Sequence, residues 1–374
     1  MQDPPARRGG TPLRWFHEMI ARPDVQRLAA RLPFVSGMAR RDGAEIFDMV
    51  QGFVRSQVLS ALIELRVLHR LMEGPLDASV AAEGTGVAPD RMDILMQAGA
   101  AMGLLARRRD GRFRVSRKGA ALLGVPGLEA MIRHHHVFYR DMADPVGLLR
   151  GEGDPGLARV WPYVLGAGGE VTDGDAARYS ELMAQSQELV AQDTLRMVSL
   201  RGVRSLMDVG GGSGVFAAHV ARKYRDVDLC VFDLPEVVPQ AERRLARDGS
   251  GDRITCRGGS FRTGALPEGA DAISLVRVLY DHDDDTVSDL LAKAFAALPP
   301  GGRLIVSEPM SGGAAPDPVG DVYFAFYTMA MGTGRARSAA RIADMCRAAG
   351  FREVRIPRAP RPYVTSALVC VRPG

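Results

Sequence analysis

Apolar positions along the chain change their period near residue 203. Before that point they recur every three or four places, the spacing of helices that bury one face. From Leu13 to Leu32 the stripe runs Phe16, Met19, Ile20, Val25 and Leu28 with arginines between, which predicts one helical stretch. Such a basic amphipathic helix has two fates, packing on a partner or resting on an anionic membrane surface, and both stay open. Ile46 to Leu71 predicts a long helix. Ala78 to Gly84 and Ala88 to Met102 predict a helix pair, with Pro89 suited to a first helical turn. Leu104-Leu105-Ala106 and Phe113-Arg114-Val115, joined across Asp110-Gly111, predict a hairpin that completes a winged-helix unit. Helical spacing then continues to about Leu200, interrupted at Asp154-Pro155 and Gly168-Gly169.

Beyond residue 203 short apolar runs alternate with helical stretches. Leu206 to Val209, Leu229 to Asp233, Ile254 to Cys256, Ala272 to Val278, Arg303 to Ser307 and Ala367 to Val371 predict strands, the last preceded by a helix over Ala339 to Ala349. Alternation of this kind predicts an α/β, doubly wound, Rossmann-like domain over 201–374. A helical region over 13–200 and a disordered tail over 1–12 precede it.

A chain of 374 residues is long enough for two domains with cores of their own. Its 46% hydrophobic and 25% charged content is ordinary for a soluble globular protein, and a net charge of +4 is too small to imply nucleic acid. The hairpin carries Arg107, Arg108, Arg109, Arg112 and Arg114, which raises DNA binding as a possibility. The helix that would read bases, Asp90 to Met102, is dominated by Ile94, Leu95, Met96 and alanines and offers little to base edges, so no nucleic-acid partner is expected. Cys230, Cys256, Cys346 and Cys370 are widely spaced, which points to reduced thiols and a cytoplasmic setting. No secretory leader or membrane-spanning stretch is expected. Nor is a metal site: His134-His135-His136 are helical neighbours about 100° apart and cannot converge on one ion, so a helix surface or pocket rim suits them better. Tyr323, Phe324, Phe326, Tyr327, Met329 and Met331 fall on one predicted helix and fit an apolar tunnel or an ordinary core equally well.

Chemistry concentrates where the first predicted strand ends. Asp208-Val209-Gly210-Gly211-Gly212-Ser213-Gly214 is an acid followed by a glycine turn, with an apolar helix directly after. That layout offers backbone amides and a helix N-terminus to a ligand at close range. A dinucleotide fingerprint would need a small residue at 215, where Val215 stands, so the spacing favours S-adenosylmethionine (SAM) over a nicotinamide. Asp233 ends the second strand nineteen places after Gly214, where an acid holds ribose hydroxyls. Ser260 and Phe261 follow the third strand, on the side where an adenine would lie.

With these motifs in place the chain resembles, over nearly its whole length, the SAM-dependent O-methyltransferases of the hydroxyindole and caffeic-acid type. The resemblance implies a homodimer whose winged helix makes dimer and substrate contacts. It implies a cofactor site lined by Asp208, Gly210, Gly212, Asp233, Leu234, Ser260, Phe261 and Arg277, with Tyr179 and Met183 on a helix reaching over the methionine end. In that family a Leu-His-Asp-Trp segment after the fourth strand carries the general base; the same place here reads Leu279-Tyr280-Asp281-His282. A phenol with a pKa of about 10 is a poor base at neutral pH but relays a hydrogen bond well. Of the two glutamates that flank the family's base, the first is present as Glu308 and the second falls at Ala336.

The expected catalytic set is therefore Tyr280, Asp281, His282 and Glu308, with an alcohol proton leaving late through Tyr280. The segments Ile132-Arg133-His134-His135 and Arg277-Val278-Leu279-Tyr280-Asp281-His282 resemble more specifically the carotenoid-modifying members of the family. They imply methylation of the 1-hydroxyl of an acyclic carotenoid, an apolar small-molecule acceptor, with peripheral membrane contact through the N-terminal helix as a further option. A bacteriochlorophyllide-type methyltransferase and a non-catalytic SAM-binding regulatory protein of the same fold are the alternatives.

Overall fold

The computed structural model describes residues 12–29, 36–160 and 173–374, without the side chains of 12, 13, 26, 29, 160 and 173–183. Most of the expected tail, Ala30 to Leu32 and Gly168-Gly169 lie outside the described residues. The chain forms two compact units, one up to Ala120 and one from Ala121 onward.

In the first unit α1 (Pro12–Ile20) and α2 (Pro23–Ala29) replace the single helix expected from Leu13. Pro23 has no amide hydrogen to give and restricts the residue before it, so the chain stops and restarts there. Next, α3 (Ser36–Glu64) begins ten places before the expected Ile46. It is broken from α4 (Val67–Glu73) at Arg66, whose φ of 54° cannot continue a helix. α5 (Ala78–Ala82), α6 (Pro89–Ala101) and the antiparallel pair β1 (Leu105–Arg107) and β2 (Phe113–Val115) follow. Leu62, Ile63, Leu68, Met92, Met96 and Phe113 are buried among them and form this unit's core. At the hairpin turn Asp110 pairs with Arg108 and Arg112, which neutralises part of the basic run. By contrast Ile46, Phe47, Met49, Val50 and Phe53 of α3 stand exposed. An apolar surface of that kind marks a site of association.

A short helix, α7 (Arg117–Leu123), spans the division between units. The second unit continues with α8 (Leu128–Asp141), α9 (Pro145–Leu149), α10 (Gly156–Val160) and the long α11 (Asp173–Met197). From there strands and helices alternate: β3 (Ser205–Val209), α12 (Val215–Lys223), β4 (Asp228–Asp233), α13 (Val238–Arg247), β5 (Ile254–Gly258), β6 (Ala272–Val276), α14 (Asp284–Ala297) and β7 (Arg303–Glu308). A π-helical stretch over Pro318–Phe324 runs into α15 (Ala325–Ala330), and α16 (Ala339–Ala348), β8 (Arg352–Arg355) and β9 (Ser366–Val371) close the chain.

Seven strands of the described residues form one sheet in the order β5-β4-β3-β6-β7-β9-β8. Pairing is parallel from β5 to β7, and β9 joins β7 antiparallel, Ile305 facing Val369. Helices cover both faces. Phe216, Val220 and Leu245 from α12 and α13 pack on one side, and Leu290, Leu291, Ile342 and Cys346 from α14 and α16 on the other. The doubly wound expectation holds. β8 was not foreseen, because an edge strand reading Arg-Glu-Val-Arg has no apolar face to announce it. β6 stops at Val276, two residues early, since Arg277 turns with φ of 58°. No helix among the described residues is long and apolar enough to cross a membrane.

Candidate active site

Strand order reverses between β3 and β6, so the carboxyl ends of β3, β4, β6 and β7 surround one crevice, the usual ligand position in such a sheet. Gly210 and Gly212 have φ of 67° and 55°, the left-handed region that side chains avoid. A Cβ at Gly210 would stand 2.7 Å from Val278 Cγ2, whereas one at Gly212 would meet no atom within 4 Å. The loop is thus tight against its own protein on one side and open to a ligand on the other. Gly210 N–H donates to the Phe232 carbonyl at 2.8 Å, and Gly212 N–H to Asp233 Oδ2 at 2.7 Å. Leu234 N–H donates to the other Asp233 oxygen at 2.7 Å. Burial raises the Asp233 pKa while these two amides draw it back. Asp208 is fully enclosed; Ser274 donates to its Oδ1 at 2.6 Å, while Oδ2 is buried without a partner. Desolvation pushes its pKa up to about 7. An open glycine cradle, a strand-end carboxylate and an orphaned buried oxygen are features that fit a nucleoside ligand with amine and hydroxyl donors.

Phe261 meets the His282 ring edge-on at 5.3 Å, and Arg262 Nη2 lies 3.0 Å from His282 Nδ1. Burial, helped by Arg262, lowers the His282 pKa to about 4. A neutral His282 therefore belongs to the wall with Phe261. Ser260 Oγ accepts from the Arg262 amide at 3.2 Å.

Arg277 is a half-buried cation of the crevice. It donates to Ser186 Oγ on α11 at 3.0 Å and to the Tyr280 hydroxyl at 3.1 Å, and lies 5.6 Å over the Tyr280 ring. Tyr280 is 2% exposed, and burial raises its pKa against the pull of Arg277. Glu308 Oε1 accepts from the amides of Val278 (3.1 Å) and Leu279 (2.8 Å), which fixes the loop after β6. Desolvation pushes Glu308 up to about 8 and Asp281 to about 7, each with one buried oxygen unpartnered.

Sequence reading did not find Ser186, nor Arg337, which donates to the carbonyls of Leu279 (2.9 Å) and His282 (2.8 Å) and pairs with Asp284 at 2.7 Å. Arg335 N–H adds a bond to the Tyr280 carbonyl at 2.8 Å, so the segment around Ala336 clamps the Tyr280 loop from outside. At the start of α14, Asp283 caps the helix through Thr286 N–H, while Asp284 serves Arg337 and Arg341. Tyr179 and Met183 ride on α11, but their side chains lie outside the described residues.

Two of the three histidines in the run turn inward, while His136 stays exposed. His134 Nε2 lies 2.9 Å from the Tyr327 hydroxyl and His135 Nε2 2.7 Å from that of Tyr323. Phe138, Leu148, Leu157, Tyr327, Ala330 and Met331 form an apolar core cluster, with Tyr323, Phe326 and Met329 packed against it.

Residues 139–352 match the O-methyltransferase domain and residues 47–123 the O-methyltransferase dimerisation domain. The chain belongs to the O-methyltransferase family, as an enzyme that depends on S-adenosylmethionine. It is 56% identical to the demethylspheroidene O-methyltransferase of Cereibacter sphaeroides, over 99% of this chain and 98% of that protein. With the demethylspheroidene O-methyltransferase of Rhodobacter capsulatus it shares 49% identity, over 98% of this chain and 93% of that protein. The solved human N-acetylserotonin methyltransferase in complex with SAM shares the fold, with a TM-score of 0.75 at 23% identity over 89% of this chain and 98% of that one. The exposed apolar residues of α3 from Phe47 onward fall inside the dimerisation domain, and a homodimer is the assembly this domain supports.

Proposed function

We propose that the protein methylates the hydroxyl of an acyclic carotenoid, forming a methyl ether. The full-length likeness to two demethylspheroidene O-methyltransferases carries this reading, and the apolar cluster of Phe138, Leu157 and Met331 supports it. The glycine loop, Asp208, Asp233 and Leu234 would hold the ribose and methionine side of the cofactor. Ser260 and Phe261 would hold the adenine, and Arg277 with Tyr179 and Met183 would close the site. Bound there, S-adenosylmethionine supplies an electrophilic methyl group on a sulfonium. Apolar walls exclude water, and a fixed geometry supplies much of the rate of such a displacement.

Tyr280, Asp281, His282 and Glu308 form the catalytic floor in this reading. Glu308 holds the loop amides, Tyr280 sets the place of Arg277, Asp281 balances its charge, and His282 walls the cofactor side. The exposed Trp15, Phe16 and Ile20 of α1 would suit apolar contact with a membrane surface, where a water-insoluble acceptor resides. Labelled-methyl transfer from SAM to purified acyclic carotenoid alcohols tests the proposal. Transfer to a chlorin with none to any carotenoid alcohol would sink it.

A further inference from the structure

An alcohol that gains a methyl group must lose a proton, and the carboxylates of the Tyr280 loop, though Asp281 and Glu308 each keep one unpartnered oxygen, are shut away from solvent. Tyr280 and Glu308 are 2% and 1% exposed. The Tyr280 hydroxyl already accepts from Arg277, Glu308 Oε1 from two amides, and His282 Nδ1 faces Arg262. On α8, however, stands an imidazole that this arrangement leaves unused. His135 Nε2 lies 2.7 Å from the Tyr323 hydroxyl, and both residues are only half-buried. Tyr323 meets Phe324 edge-on at 4.9 Å and Phe324 meets Tyr280 edge-on at 6.5 Å, so a single ring separates the pair from Tyr280. Arg277, which holds Tyr280, also acts electrostatically on Tyr323.

We propose that Tyr323 and His135 together take the acceptor's proton, standing in for the histidine that position 280 lacks. The proposal rests on the methyl-transfer reading above. As the new C–O bond forms, the C–S bond of the sulfonium breaks and its electron pair stays on sulfur as a neutral thioether. The O–H bond electrons remain on the ether oxygen. The proton passes to Tyr323 while the Tyr323 proton moves to His135 Nε2, and the imidazolium then releases it to water. Burial, reinforced by His134 and His136, holds His135 down to about 4, so the ring is neutral at neutral pH and free to accept. A base this weak cannot ionise an alcohol beforehand. It suffices once the oxygen has begun to bond carbon, because the oxonium forming there is a far stronger acid than imidazolium.

The decisive variant is His135→Gln, whose amide oxygen still accepts from Tyr323 but cannot hold a proton. Single-turnover transfer to whichever acceptor the wild type methylates should fall about 100- to 1000-fold, with SAM affinity by calorimetry unchanged. A rate within about threefold of wild type would overturn the assignment. Should His135→Gln fail to fold, Tyr323→Phe decides in its place, with the same loss expected and the same retention fatal. Histidine 15N NMR supplies a readout without turnover. His135 should carry its proton on Nδ1 at pH 7, with an Nε2 signal that shifts in Tyr323→Phe, and an Nε2-protonated ring would overturn the pairing. An acceptor other than a carotenoid would displace the substrate reading alone, since the comparison of variant with wild type stands on any acceptor.

Discussion

Replacing Tyr280 by phenylalanine deletes one oxygen and leaves the ring against Phe324 and under Arg277. The cost follows from the partners of Arg277. Its guanidinium is partly buried, with Nη1 on Ser186, Nη2 on Tyr280 and a buried Nε already without a partner. Removing the phenol leaves a second donor unmet, and a hydrogen bond to a charged group is worth about 1.5–3 kcal/mol. That corresponds to roughly 10- to 100-fold in any equilibrium that needs Arg277 in place. Asp281 loses a favourable partner as well, so its pKa should climb further above about 7. Titration calorimetry with SAM, beside single-turnover transfer on the same preparation, reads both consequences. SAM affinity should fall by at least about tenfold, with turnover falling in step, and Arg277→Met should look alike. Slowed turnover at an unchanged SAM dissociation constant would refute the argument, because the phenol would then act on the reaction and not on Arg277.

Three further outcomes follow from the same geometry. Asp233→Ala removes the carboxylate that joins the Gly212 and Leu234 amides, and SAM affinity should drop about 10- to 100-fold; unchanged calorimetry would remove Asp233 from the cofactor site. Arg337→Met should cost about 2–4 kcal/mol in urea unfolding, less than the loss of a fully enclosed pair, because Asp284 is 31% exposed and keeps Arg341. A loss under about 1 kcal/mol would mean that the clamp on the Tyr280 loop is not structural. Stability should also depend on pH with a definite sign. Asp208, Asp281 and Glu308, raised to about 7, 7 and 8, contribute stability that is full below their unfolded values and lost as pH rises through the folded ones. His135 and His282, lowered to about 4, work the other way but only below their ordinary value of 6.5. Melting temperature should therefore fall between about pH 6.5 and 8.5, and a rise across that window in scanning calorimetry would contradict the burial of these acids.

The legible parts of this chain were those whose signal lies within a few residues. Gly210, Gly212 and Asp233 could be placed at one loop because turn geometry and strand length fix their spacing, and the structure joins Gly212 to Asp233. The strand β8 was illegible because a charged edge strand needs no apolar period. The break at Arg66 was illegible because it comes from a backbone angle that an arginine rarely adopts. Long-range pairs were out of reach on principle: His135 and Tyr323 are 188 positions apart, and a run of three histidines says nothing of which ring will meet which phenol. The substitutions at 280 and 336 show the same limit from the other side. Read along the sequence, Tyr280 and Ala336 are two losses, a base and the glutamate beside it. In three dimensions Tyr280 anchors a half-buried arginine, and the neighbours of Ala336 hold the Tyr280 loop through Arg335 and Arg337. A loop held from both sides no longer needs its own base to be mobile or exposed, and the task of taking the proton is free to move to another wall of the crevice.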